Sequence, residues 1–225
     1  MDERLSLIYE MTPPCRLAAD IGTDHGYLIC ALVETGRAQR GIAADINPLP
    51  LARAGGEIEA RGLSHRIQLV LGDGLAGVTP DGLETVIIAG MGGETIAHIM
   101  GEWPFSKDPG LLWLLQPMTK AEKLRDWLWG EGFAVTRERC CLAAGRVYSV
   151  MAVRYTGEVV PHPEWERHLG RVDPGEDEFT YLYAEKKAEK LEKIAAGLRA
   201  GGDPSQAEKL EAVAREIRKR MEEKA

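Results

Sequence analysis

The 225-residue chain is 44% hydrophobic and 28% charged, with a formal net charge of −7, a balance that suits one α/β domain of roughly 150 residues plus a small appendage. The charge argues against a non-specific nucleic-acid binder: neither the part up to Tyr155 (15 basic, 19 acidic residues) nor the rest (13 and 16) is net positive, so any grip on RNA must come from patches. No apolar run reaches the roughly 18–20 residues of a membrane span, and the opening MDERLSLIYEM lacks the basic-then-apolar pattern of a secretion signal.

Taken in chain order, short apolar runs alternate with segments of helical period. Residues 16–22, 41–46, 67–72, 85–89 and 111–116 read as strands, the inner ones nearly continuous in Ala, Val, Ile and Leu, as in strands covered on both faces. Residues 26–34, 49–61, 94–101 and 121–131 read as helices, the last with Ala121, Leu124 and Leu128 on one stripe and Lys120, Lys123 and Arg125 off it. This alternation predicts βαβ units and a parallel sheet. Residues 133–141 and 147–155 read as two more strands around Ala143-Ala144-Gly145, a hairpin that brings the number of strands to seven. A break follows, with Pro161, Pro163 and Pro174-Gly175. Beyond it, residues 177–198 space Ala184, Ala188, Leu191, Ala195 and Leu198 four and three apart, and Gly201-Gly202 ends that helix. Asp203-Pro204 then supplies the N-cap and first position of another helix, with Leu210, Val213, Ile217 and Met221 on its stripe. Two such helices joined by a short turn predict an antiparallel coiled-coil hairpin. The expected division is a first domain of residues 1–157 and a helical domain of residues 158–225.

Candidate binding residues collect where the predicted strands end, because ligands of a doubly wound sheet lie along its carboxyl edge. Asp20-Ile21-Gly22-Thr23-Asp24-His25-Gly26 leaves the first strand and enters a helix. Gly22 lets the backbone approach a ligand closely, and Asp20 suits a cationic ligand while repelling a pyrophosphate. No Gly-x-Gly-x-x-Gly is present, and Asp20 with Asp24 would crowd a dinucleotide phosphate, which argues against a nicotinamide dehydrogenase. Asp45, in Asp45-Ile46-Asn47, stands about 20 residues on and can accept both hydroxyls of a ribose. Asp73-Gly74 follows the third strand, Gly90-Met91-Gly92-Gly93 the fourth, and Gln116-Pro117 the fifth, where an amide could reach a substrate. Asp24 has two readings: a cap for the helix beginning near Gly26, or a carboxylate facing the reacting group, with His25 placing the substrate or relaying a proton. Scattered basic residues such as Arg37, Arg40, Arg53, Arg61, Lys120 and Lys123 are available to RNA but more often form solvated faces. Cys15, Cys30, Cys140 and Cys141 have no CxxC or metal-ligand spacing and read as buried, reduced thiols.

Asp-Ile-Gly-Thr-Asp-His-Gly-Tyr-Leu (20–28), Ala-Asp-Ile-Asn (44–47), Gly-Asp-Gly-Leu (72–75), Ile-Ala-Gly-Met-Gly-Gly (88–93) and Leu-Gln-Pro (115–117) occur in that order. The set resembles the bacterial tRNA (adenine-N1) methyltransferases that act at tRNA position 22, over about residues 4–155, and the hairpin is similar to that family's C-terminal coiled coil. The resemblance implies a Rossmann-like, seven-stranded class I methyltransferase domain whose final strand inserts antiparallel, followed by the helical hairpin. It implies S-adenosylmethionine as cofactor, S-adenosylhomocysteine as product, no metal, and tRNA as partner of a cytoplasmic monomer without membrane contact. By the same resemblance Asp24 and His25 are catalytic. Asp20, Gly22, Asp45, Ile46, Asn47, Asp73, Gly74, Gly90, Met91 and Gly92 bind the cofactor, and Gly93, Gln116 and Pro117 bind the substrate. Two departures from the wider class stand out: Asp24 occupies a usual glycine position, and the Asn/Asp-Pro-Pro-Tyr motif of exocyclic-amine methyltransferases is missing, against N6 chemistry. Two alternatives stay open: a methyltransferase of another RNA site or a small molecule, and a catalytically silent RNA-binding scaffold of the same fold. The hairpin's stripes are expected to satisfy each other, so that removing residues 160–225 leaves cofactor binding nearly unchanged.

Overall fold

A computed structural model describes residues 1–223. Helix α1 (Glu3–Met11) precedes β1 (Cys15–Ile21), α2 (Tyr27–Glu34), β2 (Ala38–Asp45), α3 (Pro48–Ala60), β3 (Ile67–Leu71), β4 (Thr85–Gly92), α4 (Gly93–Glu102), β5 (Leu112–Thr119), α5 (Ala121–Gly130) and the hairpin β6 (Phe133–Ala143) and β7 (Arg146–Tyr155). Then come α6 (Glu164–Leu169), α7 (Glu178–Ala200) and α8 (Pro204–Glu222). The seven strands form one sheet in the order β3-β2-β1-β4-β5-β7-β6. Strands β1 to β5 run parallel, and β7 inserts antiparallel to both β5 and β6.

Side chains alternate faces along a strand, and the burial follows that period. Leu17, Ala19 and Ile21 of β1 join the core on the α4 and α5 side, whereas Ala18 joins the core on the α1 and α2 side. Strand order reverses between β1 and β4, and at such a switch point the connections leave to opposite faces and open a crevice at the carboxyl edge. Gly22, just past β1, has φ +78, and a Cβ there would stand 2.2 Å from the Met91 methyl of β4. The left-handed φ favours glycine there, and the missing Cβ leaves room for the Met91 methyl.

The second half of the chain differs from expectation in one respect. Arg125, off the apolar stripe of α5, is not a surface residue: it is fully buried and pairs with the equally buried Glu138 of β6 at 2.5 Å. Its guanidinium also donates to the carbonyls of Arg167, His168 and Leu169 at 3.0–3.4 Å, and Glu138 accepts the Arg171 N–H at 3.0 Å. Tyr183 of α7 packs with Cys140 of β6 and with the hairpin residues Leu191, Val213 and Ile217 in one core. The hairpin thus satisfies its own stripes and also covers the sheet. Exposed pairs Arg199–Glu211 and Arg218–Glu192 join α7 to α8; solvent screens both, so they add little beside the apolar seam. Removing residues 160–225 would thus also strip the carbonyl and N–H partners from the buried Arg125–Glu138 pair.

Candidate functional site

Residues from the ends of β1, β2, β3 and β4 meet along the carboxyl edge. Asp20 closes β1, only 7% exposed. The buried hydroxyl of Thr23 faces its carboxylate. Burial pushes the Asp20 carboxyl up to about 6, the Thr23 hydroxyl opposes that rise, and the negative charge of Asp45 adds to it. A buried carboxylate faced by a single hydroxyl is costly to ionise unless a cation compensates it. The site therefore fits a positively charged ligand such as the ammonium and sulfonium of S-adenosylmethionine. If a cation binds the ionised Asp20, its affinity falls as pH drops below about 6, roughly tenfold weaker at pH 5 than at pH 8. Titration calorimetry at both pH values checks this. A flat profile, or the same profile in Asp20→Asn, would show that Asp20 is not the group.

Asp45 ends β2 and is half-exposed. One carboxylate oxygen accepts the Asn47 N–H at 2.7 Å, and the Asn47 side chain in turn caps α3 through the Leu49 N–H at 3.0 Å. The turn aims the carboxylate while Ile46, 63% exposed, offers a flat apolar surface beside it. Asp73 and Gly74 lie beyond the end of β3, and the Gly72 N–H bonds to the Asp45 carbonyl at 3.1 Å, which ties the two strand ends together. Asp20, Gly22, Asp45, Ile46, Asn47, Asp73, Gly74, Gly90, Met91 and Gly92 thus all fall at or just past the carboxyl ends of four strands.

Asp24 is exposed, with its carboxylate 3.4 Å from His25 Nε2 and 3.9 Å from Arg53 of α3. The capping reading is corrected: the N-cap of α2 is Gly26 in the left-handed region, and no side chain caps that helix. Asp24 is no part of that helix, and its carboxylate is 66% exposed. The His25 ring stacks on Tyr27 at 5.2 Å, a half-exposed pair that sequence reasoning had not joined, since only the helical start of α2 brings the two rings together.

The three residues expected to meet substrate turn inward. A Cβ on Gly93 would lie 2.3 Å from the Lys120 carbonyl, so its place is set by the approach of α4 to α5. Gln116 and Pro117 are buried, and the Gln116 carboxamide oxygen accepts from Gly90 N–H at 3.2 Å and from Arg4 at 3.1 Å. Of the basic residues singled out for RNA, Arg37 and Arg61 are tied into the fold through carbonyls of Glu10 and Thr12 and through Glu34 and Glu57. Lys120 pairs with Glu94. The four cysteines are buried and free. Among the described residues no helix is long and apolar enough to cross a membrane, and no cluster of three His, Cys, Asp or Glu residues is placed to hold a metal.

Comparison with known proteins agrees with this geometry. The tRNA (adenine(22)-N(1))-methyltransferase of Bacillus subtilis is 34% identical over 151 residues, 67% of this chain and 63% of its own length. The chain thus spans less than two thirds of that relative in sequence. In structure the likeness runs further: the solved B. subtilis m1A22 tRNA methyltransferase superposes with a TM-score of 0.81 at 26% identity, covering 99% of this chain and 96% of that one. A Streptococcus pneumoniae protein solved in complex with S-adenosyl-L-methionine has a TM-score of 0.84 at 28% identity, over 96% and 99% of the two chains. Residues 1–151 match the family model for the methyltransferase domain, and the chain belongs to that family.

Proposed function

We propose that this protein transfers a methyl group from S-adenosylmethionine to N1 of the adenine at position 22 of tRNA, in the cytoplasm and as a monomer. The observation that carries the cofactor assignment is the buried Asp20 carboxylate beside a glycine turn and one strand from a ribose-suited Asp45. The substrate assignment is supported by the likeness to the B. subtilis enzyme, which carries that name. Residues 1–157 form the proposed cofactor domain, and residues 158–225 the helical domain that reaches toward tRNA.

When bound, the cofactor supplies an electrophilic methyl group on a sulfonium. Asp20 compensates its cationic portion, Asp45 accepts from the ribose, and Ile46, Asp73 and Gly74 border the adenine end. Gly22, Met91 and Gly92 keep the crevice narrow, which excludes water and aligns the acceptor. Adenine N1 already carries a lone pair, so no base is needed to generate a nucleophile. The methylated ring is cationic, and the exposed Asp24 carboxylate stabilises that charge or takes the proton from the exocyclic amine, with His25 at 3.4 Å to share it.

Tritium transfer from labelled cofactor to whole tRNA tests the activity, and an inert protein that binds cofactor would favour the scaffold alternative. Within that assay Asp24→Asn should keep its melting temperature, since Asp24 caps nothing, and lose about tenfold or more in turnover. Normal turnover in that variant would leave the transfer to alignment alone.

A further inference from the structure

We propose that Arg4 is a positioning residue for the transfer: acting through Gln116, it sets the loop of residues 90–92 that borders the crevice. The inference rests on the methyltransferase reading above. Arg4 lies on α1, far from the glycine turns in sequence. Asp2 caps that helix by accepting the Leu5 N–H at 2.9 Å, and its other oxygen holds Arg4 Nε at 3.1 Å and Nη2 at 2.6 Å. So fixed, the guanidinium presents Nη1 to the Gln116 carboxamide oxygen at 3.1 Å.

That oxygen also receives the Gly90 N–H at 3.2 Å, while Gln116 Nε2 donates to the Pro117 carbonyl at 3.2 Å. Gln116 is fully buried, so the direction of its carboxamide matters. Turned over, it would set an NH2 group against both the Gly90 N–H and Arg4, opposing donor to donor and losing both bonds. A hydroxyl in place of Arg4 could serve either orientation; a guanidinium has no acceptor and permits only one. Gly90 needs the bond because the ladder between β4 and β5 is irregular from Ala89 to Met91 and the backbone there has φ +78. Met91 follows directly and lies against Gly22. The chain Asp2, Arg4, Gln116, Gly90 therefore runs from the N-terminal helix to the floor of the crevice.

The test uses the full-length chain with Arg4→Met. Without cofactor or RNA, the Gly90 amide should exchange with solvent about tenfold faster than in the parent, as its acceptor is no longer held. In the tRNA assay kcat should fall on the order of ten- to a hundredfold, with the tRNA KM unchanged. The double variant R4M/Q116A should be no slower than Q116A alone, because both remove one pathway. If R4M does not fold, R4K carries the same comparison, since one ammonium cannot hold Asp2 and Gln116 together. Losses that multiply in the double variant, a raised tRNA KM with unchanged kcat (a direct RNA contact), or an unaltered Gly90 amide would each overturn the proposal. A parent protein that methylates no tRNA would instead sink the functional reading, while the amide exchange still decides the role of Arg4.

Discussion

Replacing Asp45 by alanine should weaken S-adenosylmethionine binding by about 10- to 100-fold, the loss expected when charged hydrogen bonds worth roughly 1.5–3 kcal/mol disappear. The carboxylate sits at the carboxyl end of β2, half-exposed, with one oxygen used by the Asn47 N–H at 2.7 Å. Alanine also removes that turn bond, and Asn47 caps α3. Part of any effect would therefore come through the helix start. Asp45→Asn separates the two, because it keeps an acceptor for Asn47 but carries no charge. It should retain the parental melting temperature and still bind cofactor more weakly. Calorimetric titration of both variants decides the matter. A thermally intact Asp45→Ala protein that binds as tightly as the parent would remove Asp45 from the site.

Glu138→Ala should cost about 3–5 kcal/mol of stability, because it leaves the guanidinium of Arg125 buried and unpaired. Both side chains are essentially inaccessible, and the pair ties α5 and β6 to the segment after α6. Folding free energies of single domains are only about 5–15 kcal/mol, so the variant should melt on the order of 10 °C lower. Glu138→Gln, which keeps the shape and an acceptor, should fall between parent and alanine. Thermal denaturation followed by circular dichroism supplies the comparison. A Glu138→Ala protein that melts with the parent would mean the pair is not the clamp between the sheet and the helical segment.

Much of the fold was legible because burial on both faces leaves a strong mark. The inner parallel strands carry nearly continuous apolar runs, and Asp20, Asp45 and Asp73 could be placed at one edge from the runs alone. Strand ends were less legible. Gly90-Met91-Gly92-Gly93 was placed after the fourth strand, yet β4 continues to Gly92 and pairs with β5 through register shifts, which an open glycine run does not announce. Helix α1 was missed although Asp2 and Glu3 mark its start, because it buries only Leu7 and Ile8, too short a stripe to show a period. Helix α6 has six residues and almost no pattern to read. Within the site, the direction of side chains was the hidden variable. Gln116 and Gly93 stand at the edge but face inward, and Arg4 reaches Gln116 across 112 positions of chain, a pairing without a local signal. Arg125 was misplaced for the same reason: its partner lies on another element.

Reverse-transcription mapping on an unmodified tRNA transcript incubated with the protein and S-adenosylmethionine tests the central assignment most directly, since a methyl on adenine N1 blocks the pairing edge and stops the polymerase. The expected result is a single new stop next to position 22, dependent on cofactor and absent from a transcript with guanine at that position. Stops at another adenine, or methyl incorporation without any stop, would contradict it.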